Sequence, residues 1–102
     1  MKLVIIESPY AGNVEENVAY AKKCLLDSLR RGEAPFASHL LYTQVLDDLL
    51  PEERTLGMLA GFQWGEKADL CAVYTDNGIS NGMMKGVAEA ARNKIPVECR
   101  TL

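Results

Sequence analysis

Three titratable side chains stand directly after apolar stretches, where the chain of an α/β protein leaves its sheet. Glu7 follows the first such stretch, His39 the second and Asp76 the third. A carboxylate at such a point binds a ligand hydroxyl or only completes a turn, and a histidine contacts a ligand, transfers a proton or caps a helix. No Ser-His-Asp or Cys-His set emerges from the spacing, so the sequence leaves the catalytic residues unidentified.

No metal or cofactor signature is present. His39 is the single histidine, and the three cysteines, Cys24, Cys71 and Cys99, lack close metal-ligand spacing. The chain contains neither a Walker A sequence nor the G-x-G-x-x-G fingerprint. We therefore expect no metal and no cofactor, and we interpret the cysteines as small buried residues in a reducing compartment.

Composition narrows the class of partner. The chain has 102 residues, of which 48% are hydrophobic and 25% charged, as in one globular domain spanning residues 1–102. A net charge of −3 argues against a nucleic-acid partner, because phosphate backbones are bound by clustered lysine and arginine. The N-terminal apolar run ends at Glu7, too short for a signal peptide or a membrane span, so we expect a cytoplasmic location and no membrane partner.

Strand and helix patterns alternate along the chain. Apolar runs predict buried strands at 3–6 and 70–74, and two further segments predict a short second strand at 34–37 and an edge-like fourth strand at 96–100. Helical spacing and end signals predict a helix from the N-cap Asn13 to Gly32, a short helix or helical turn at 39–49, a helix from Pro51 to about Lys67, and one at 81–92.

This alternation predicts a single-domain α/β sandwich of the flavodoxin-like or half-Rossmann type. Its four-stranded, mainly parallel sheet would have the order 2-1-3-4, with helices on both faces. Ligands of such sheets bind beyond the carboxyl ends of the strands where the winding reverses, here between strands one and three. Loops 8–13 and 75–82 lie there, and each leads into a helix N-terminus that suits a phosphate or carboxylate.

The predicted third helix has an unusual glycine face. Gly57, Gly61 and Gly65 recur at four-residue intervals, and each costs about 1 kcal/mol relative to alanine. Apolar side chains beyond the needs of the core accompany them: Met58, Phe62 and Trp64. The pattern predicts either close contact with a second copy, which gives a homo-oligomer, or tight packing within one subunit.

Four segments carry a resemblance to a known family: residues 7–12, 37–44, 68–69 and 76–86. Together they resemble the nucleoside 2-deoxyribosyltransferase-like family, in particular its short bacterial and phage members of uncharacterised function. The resemblance implies a pocket for sugar and base lined by the loop after strand one, an acid after a later strand that contacts the nucleoside, and a homo-oligomer. With the loops at the switch point, it gives as ligand-binding candidates Ser8, Pro9, Tyr10, Gly12, Asn13, His39, Asp76, Gly78, Ser80, Gly82 and Met84.

One position departs from the family. Its nucleophile is a glutamate in a Gly-x-Glu-x-Gly setting, and Gly82 to Gly86 match that setting with Met84 in the place of the glutamate. A methionine cannot form the glycosyl ester that double displacement requires.

The leading hypothesis is therefore a nucleoside- or nucleotide-binding protein without efficient transferase activity, which would sequester a nucleotide signal if the chain is phage-encoded. The alternative is an N-glycosidase or 2-deoxyribosyltransferase that uses another carboxylate, Glu7 or Asp76. A third hypothesis is an interaction module whose apolar helix binds another protein.

Overall fold

Strands and helices alternate in the computed structural model, which describes residues 1–102. The elements are β1 (Leu3–Glu7), α1 (Val14–Arg30), β2 (Ala34–Phe36), α2 (Ser38–Leu41), a 3-10 turn (Tyr42–Gln44), α3 (Pro51–Gly65), β3 (Leu70–Tyr74), α4 (Asn81–Arg92) and β4 (Val97–Arg100). Each predicted strand and helix is present, although helical structure after β2 ends at Gln44 instead of continuing to Leu49. No helix among them has both the length and the apolarity to cross a membrane.

The sheet is parallel throughout and has the order β2-β1-β3-β4, which confirms the predicted topology. Strands β1 and β3 are neighbours at the point where the winding reverses, and Glu7 pairs in register with Val73. The last residue of β1 therefore lies beside the carboxyl end of β3, where parallel sheets of this kind bind ligands.

Alternating side chains divide the core between the two faces of the sheet. Val4 and Ile6 pack on the α1 side in a cluster that includes Tyr20, Cys24 and Tyr74. The opposite face, under α3 and α4, holds a smaller cluster of Cys71, Val73, Met83 and Ala90. Because strand side chains alternate, Ile5 and Glu7 lie on this second face. The smaller core leaves room there for a cavity.

Two glycines of α3 serve packing within the subunit. A Cβ atom on Gly61 would lie 2.7 Å from Ser38 Oγ, and one on Gly57 would lie 3.3 Å from Leu46 Cδ1. Both glycines thus let the segment after β2 approach α3 closely, which is the second of the two alternatives for the glycine face. A homo-oligomer stays a prediction, and the observation that now supports it is the exposure of Leu56, Leu59 and Trp64 on α3.

A buried arginine fastens the edge strand β4 to the rest of the molecule. Arg100 is 6% exposed, and its guanidinium group donates to both carboxylate oxygens of Glu33, at 2.7 and 2.8 Å. It also donates to the Tyr74 hydroxyl at 3.2 Å and pairs with Glu98. Such a pair is costly to break from one side, because the remaining carboxylate stays poorly solvated.

Candidate functional site

A cavity of about 360 Å³ lies on the α3–α4 face of the sheet, at the carboxyl end of β1. Its walls come from β1 and the loop after it, from the segment after β2, from α3, and from α4. This volume falls within the range of small-molecule pockets in proteins. The cavity is therefore the place where the sequence-predicted site residues have to be found.

The most unusual group in the cavity is the carboxyl group of Glu7. Strand alternation turns this side chain inward at the last residue of β1, and it lines the cavity with Ile5. The Glu7 carboxyl group makes no hydrogen bond or ion pair, while every fully buried polar side-chain atom of the protein has a partner. The carboxyl oxygens must therefore be reached from the cavity itself, and a ligand there would meet them directly.

Burial raises the pKa of the Glu7 carboxyl group to about 8. A carboxylate that leaves water without gaining a hydrogen-bond donor or a cation is strongly disfavoured, so the neutral acid prevails. At neutral pH Glu7 is accordingly a proton donor, unlike a surface glutamate. Perturbed acids in clefts are typical of functional sites.

Helix α4 makes room for this acid at Gly86. A Cβ atom on Gly86 would overlap the Glu7 carboxyl group. The carboxyl group of a β1 residue thus occupies the space into which a side chain at position 86 of α4 would project. Gly86 is part of the site because the absence of a side chain there leaves space for the Glu7 carboxyl group.

Substituting Gly86 with alanine is expected to lower the free energy of unfolding by about 1–3 kcal/mol, because the added methyl group displaces the Glu7 carboxyl group. Urea unfolding measures the change. Gly82→Ala is the matched control in the same helix, since its Cβ atom would come no closer than 3.7 Å to Arg54 Nη2. Equal stabilities of the two variants would show that position 86 is not sterically restricted.

A hydrogen-bonded pair of polar side chains lines the same cavity. The Oγ atom of Ser8 lies 2.7 Å from Nε2 of His39. Ser8 is buried directly after β1, and α2 presents His39 to it from the end of β2. Burial lowers the pKa of the His39 imidazole to about 4, so this ring is neutral at physiological pH and bears one acceptor nitrogen.

The mouth of the cavity near α4 combines a cation with a helix N-terminus. Ser80 is the N-cap of α4, and its Oγ accepts the Met83 N–H at 3.2 Å. Arg54, in the first turn of α3, also lines the cavity and points its guanidinium group toward Gly82. The acids Asp48, Glu53 and Glu89 line the same cavity. This end suits a polar ligand group that accepts hydrogen bonds.

Five of the candidate residues therefore come together around the cavity: Ser8, Tyr10, His39, Ser80 and Gly82. Asp76 does not join them. Its carboxylate accepts hydrogen bonds from the Tyr20 hydroxyl group at 2.6 Å and from the Leu102 N–H at 3.1 Å, and the hydrogen bond from Tyr20 lowers the pKa of Asp76. Asp76 thus joins α1 to the C-terminal residues, on the other side of the sheet from the cavity.

The remaining candidates have local structural positions outside the cavity walls. Gly12 and Gly78 adopt φ values of +102° and +84° in turns, and Asn13 caps α1 by accepting the Glu16 N–H. Pro9 is buried beside the loop. The side chain of Met84 is exposed and does not line the cavity, so a ligand contact at position 84 stays a prediction that the geometry does not favour.

The sequence interpretation gave Glu7 only as an alternative acid and did not include Gly86 or Arg54. A signal for Glu7 was present: it falls two residues after Ile5, on a strand expected to be covered on both faces. Nothing in the sequence alone indicated that Gly86 would face Glu7, because that contact joins distant segments.

Known proteins share the fold of this chain. The model of a family described as a domain of unknown function, DUF7768, matches residues 2–100. The structure of a 2-deoxyribosyltransferase from Bacillus psychrosaccharolyticus is similar with a TM-score of 0.68 and 18% sequence identity, over 97% of this chain and 72% of that chain. The CMP N-glycosidase BcmB of Clostridium botulinum is similar with a TM-score of 0.54 and 11% identity, over 99% of this chain and 89% of that chain. No curated protein matches the sequence.

Proposed function

We propose that this chain, which belongs to the DUF7768 family of domains of unknown function, binds a nucleoside or nucleotide in its cavity and cleaves the N-glycosidic bond through Glu7. The fold it shares with a 2-deoxyribosyltransferase and a CMP N-glycosidase supports the class of ligand. The observation that carries the proposal is the Glu7 carboxyl group, which faces the cavity without any partner from the protein.

A carboxylic acid is the group that this reaction requires. Cleavage of a glycosidic bond needs a proton for the departing group and stabilisation of positive charge on the sugar ring. An acid catalyst works best when its pKa lies near the working pH, and burial brings the pKa of Glu7 to about 8. Glu7 therefore holds a proton at neutral pH and can transfer it to a leaving base.

Binding without cleavage is less well supported by the geometry. That hypothesis followed from the methionine at position 84, but the Met84 side chain is exposed and lies outside the cavity walls. The residue type at position 84 therefore does not decide whether a carboxyl group reaches the ligand. Glu7 supplies one from β1, which favours the enzyme alternative with a relocated acid.

The proposal places Tyr10 against the ligand. Tyr10 lines the cavity three residues after Glu7, and its ring offers a flat apolar face to a nucleobase. Stacking between a base and an aromatic side chain contributes about 1–3 kcal/mol. Tyr10→Ala is therefore expected to weaken binding roughly tenfold or more, whereas Tyr10→Phe keeps the ring and binds as the wild type does.

Isothermal titration with nucleosides and their 5′-monophosphates, on a Glu7→Gln background that prevents turnover, measures this effect. The monophosphates also show whether the Arg54 end of the cavity recognises phosphate. Absence of binding for every compound would overturn the proposed function. Unchanged affinity in Tyr10→Ala would place the base elsewhere in the cavity.

A further inference from the structure

The hydrogen-bonded pair Ser8–His39 has no role in the function proposed so far. Both side chains line the same cavity as Glu7, and Ser8 directly follows Glu7 in the chain. Ser8 is 5% exposed, so its hydroxyl group is held between the end of β1 and the imidazole ring at 2.7 Å. The imidazole ring makes no other hydrogen bond to a side chain.

We propose that Ser8 and His39 together remove a proton from a water molecule that attacks the sugar, so that the protein hydrolyses the N-glycosidic bond directly and does not transfer the sugar through a glycosyl ester. This inference rests on the proposed function and names the second reactant, water. A buried hydroxyl group 2.7 Å from an imidazole nitrogen is the arrangement by which a base withdraws a proton when that nitrogen, here Nε2, is the unprotonated one.

The protons and electron pairs balance over one turnover. The water oxygen bonds to the anomeric carbon, its proton passes to Ser8 Oγ, and the Ser8 proton passes to His39 Nε2. The bond between the anomeric carbon and the base nitrogen breaks, and its electron pair stays with the base, which takes the Glu7 proton. The imidazolium ion then returns a proton to the Glu7 carboxylate, so that the net change is the addition of one water molecule.

The protonation states of Glu7 and His39 before the reaction fit their roles as acid and base. Burial raises the pKa of Glu7 to about 8 and lowers that of His39 to about 4, so the acid carries the proton and the imidazole does not. Environments that separate two pKa values in this way assign one group as acid and the other as base. A neutral carboxyl group is also a poor nucleophile, which disfavours a covalent glycosyl ester at Glu7.

The charged and titratable surroundings come from every element of the cavity. Besides Glu7 and His39 they are Tyr10 after β1, Tyr42 and Asp48 after α2, Glu53 and Arg54 on α3, Cys71 on β3, and Glu89 on α4. Burial alone raises the pKa of Glu7 and lowers the pKa of His39, and the surrounding charges do not contribute to either change. The low pKa of His39 therefore reflects its own burial.

The fate of the sugar tests the inference. Wild-type protein is incubated with a nucleoside and an excess of a different free base, and the free base released is compared with the exchanged nucleoside formed. Hydrolysis is expected without detectable exchange, and the freshly released sugar is expected to show inverted configuration at the anomeric carbon by NMR, because water displaces the base in a single displacement. His39→Gln is expected to slow hydrolysis roughly 100-fold and to remove the acidic limb of its pH profile. Ser8→Ala is expected to do the same.

Binding measurements on both variants show that the site remains folded. Gln44→Ala is the control for the segment after β2, since the exposed Gln44 side chain makes its only hydrogen bond to the Leu40 carbonyl group. Base exchange as fast as hydrolysis would overturn the inference, as would wild-type hydrolysis in both His39→Gln and Ser8→Ala. In either case Glu7-dependent release of base would leave the proposed function standing. Loss of base release in the wild type itself would overturn both.

Discussion

Replacing Glu7 with glutamine is expected to slow the release of free base by about 100-fold or more, the usual contribution of a positioned acid catalyst. Glutamine has nearly the same shape and fills the same space beside Gly86, but it cannot donate a proton to a leaving base. Affinity for the nucleoside is expected to change little, because the glutamine amide, like the neutral carboxyl group, offers the ligand an acceptor oxygen and a donor. Chromatography of the released base against time measures the rate.

Asp76→Asn is the control for this substitution. Asp76 is the other carboxylate at the carboxyl ends of the central strands, but its oxygens are engaged by Tyr20 and Leu102. Its substitution is expected to leave the rate of base release within a few-fold of the wild type. A large loss of base release in Asp76→Asn, together with an active Glu7→Gln variant, would show that Asp76 and not Glu7 is the acid of the reaction.

The same glutamine variant gives a stability measurement that does not depend on turnover. Burial raises the pKa of Glu7 in the folded protein to about 8, against 4.5 for a freely solvated carboxyl group, so the unfolded chain loses this proton first as the pH rises. The contribution of Glu7 to stability is therefore complete below pH 4.5 and declines until the pH passes 8. Glu7→Gln is expected to melt higher than the wild type at pH 9 and close to it at pH 5.

The second large effect is expected from Arg100→Met. The substitution removes the guanidinium group that Glu33 contacts through both oxygens, and it leaves the Glu33 carboxylate and the Tyr74 hydroxyl partly buried without that partner. Breaking a buried ion pair from one side costs about 3–5 kcal/mol. We expect a loss of about 3 kcal/mol, which lowers the melting temperature by more than about 10 °C in a chain of this size.

Arg92→Met provides the matched control. Arg92 also forms a two-oxygen contact with a glutamate, Glu89, but its side chain is 68% exposed. An exposed ion pair contributes less than about 1 kcal/mol because water and salt screen it. Urea unfolding of both variants, at the same salt concentration, compares the two. Similar small losses would mean that β4 is held by its backbone hydrogen bonds and not by Arg100.

The central strands β1 and β3 were predictable because each contains an apolar run that a turn follows. Leu70–Tyr74 is buried along its whole length, which is why it reads in the sequence as a continuous apolar segment. The sheet order followed from right-handed crossovers between parallel strands. The end of the helical segment after β2 was less predictable, since it depends on the packing of Tyr42 and Leu46 against Gly57 of α3.

The location of the site was predictable, but its acid was not assigned. The switch point between β1 and β3 indicated the loop that contains Ser8 and Tyr10, both of which line the cavity. Whether Glu7 faced solvent or a cleft depended on how α3 and α4 cover the sheet, and no local pattern reports that. Gly86 makes the difference, since a side chain there would take the space of the carboxyl group.

The most direct test of the account is product analysis of the wild-type protein with ribonucleosides, deoxyribonucleosides and their 5′-monophosphates. Each compound is incubated at neutral pH, and free base and free sugar are measured by chromatography and mass spectrometry, with Glu7→Gln as the reference. At least one compound is expected to yield equal amounts of base and sugar, and Glu7→Gln is expected to slow this release by about 100-fold or more. Tight binding of a nucleotide that is recovered intact from the wild type would contradict this expectation and would identify a protein that sequesters its ligand.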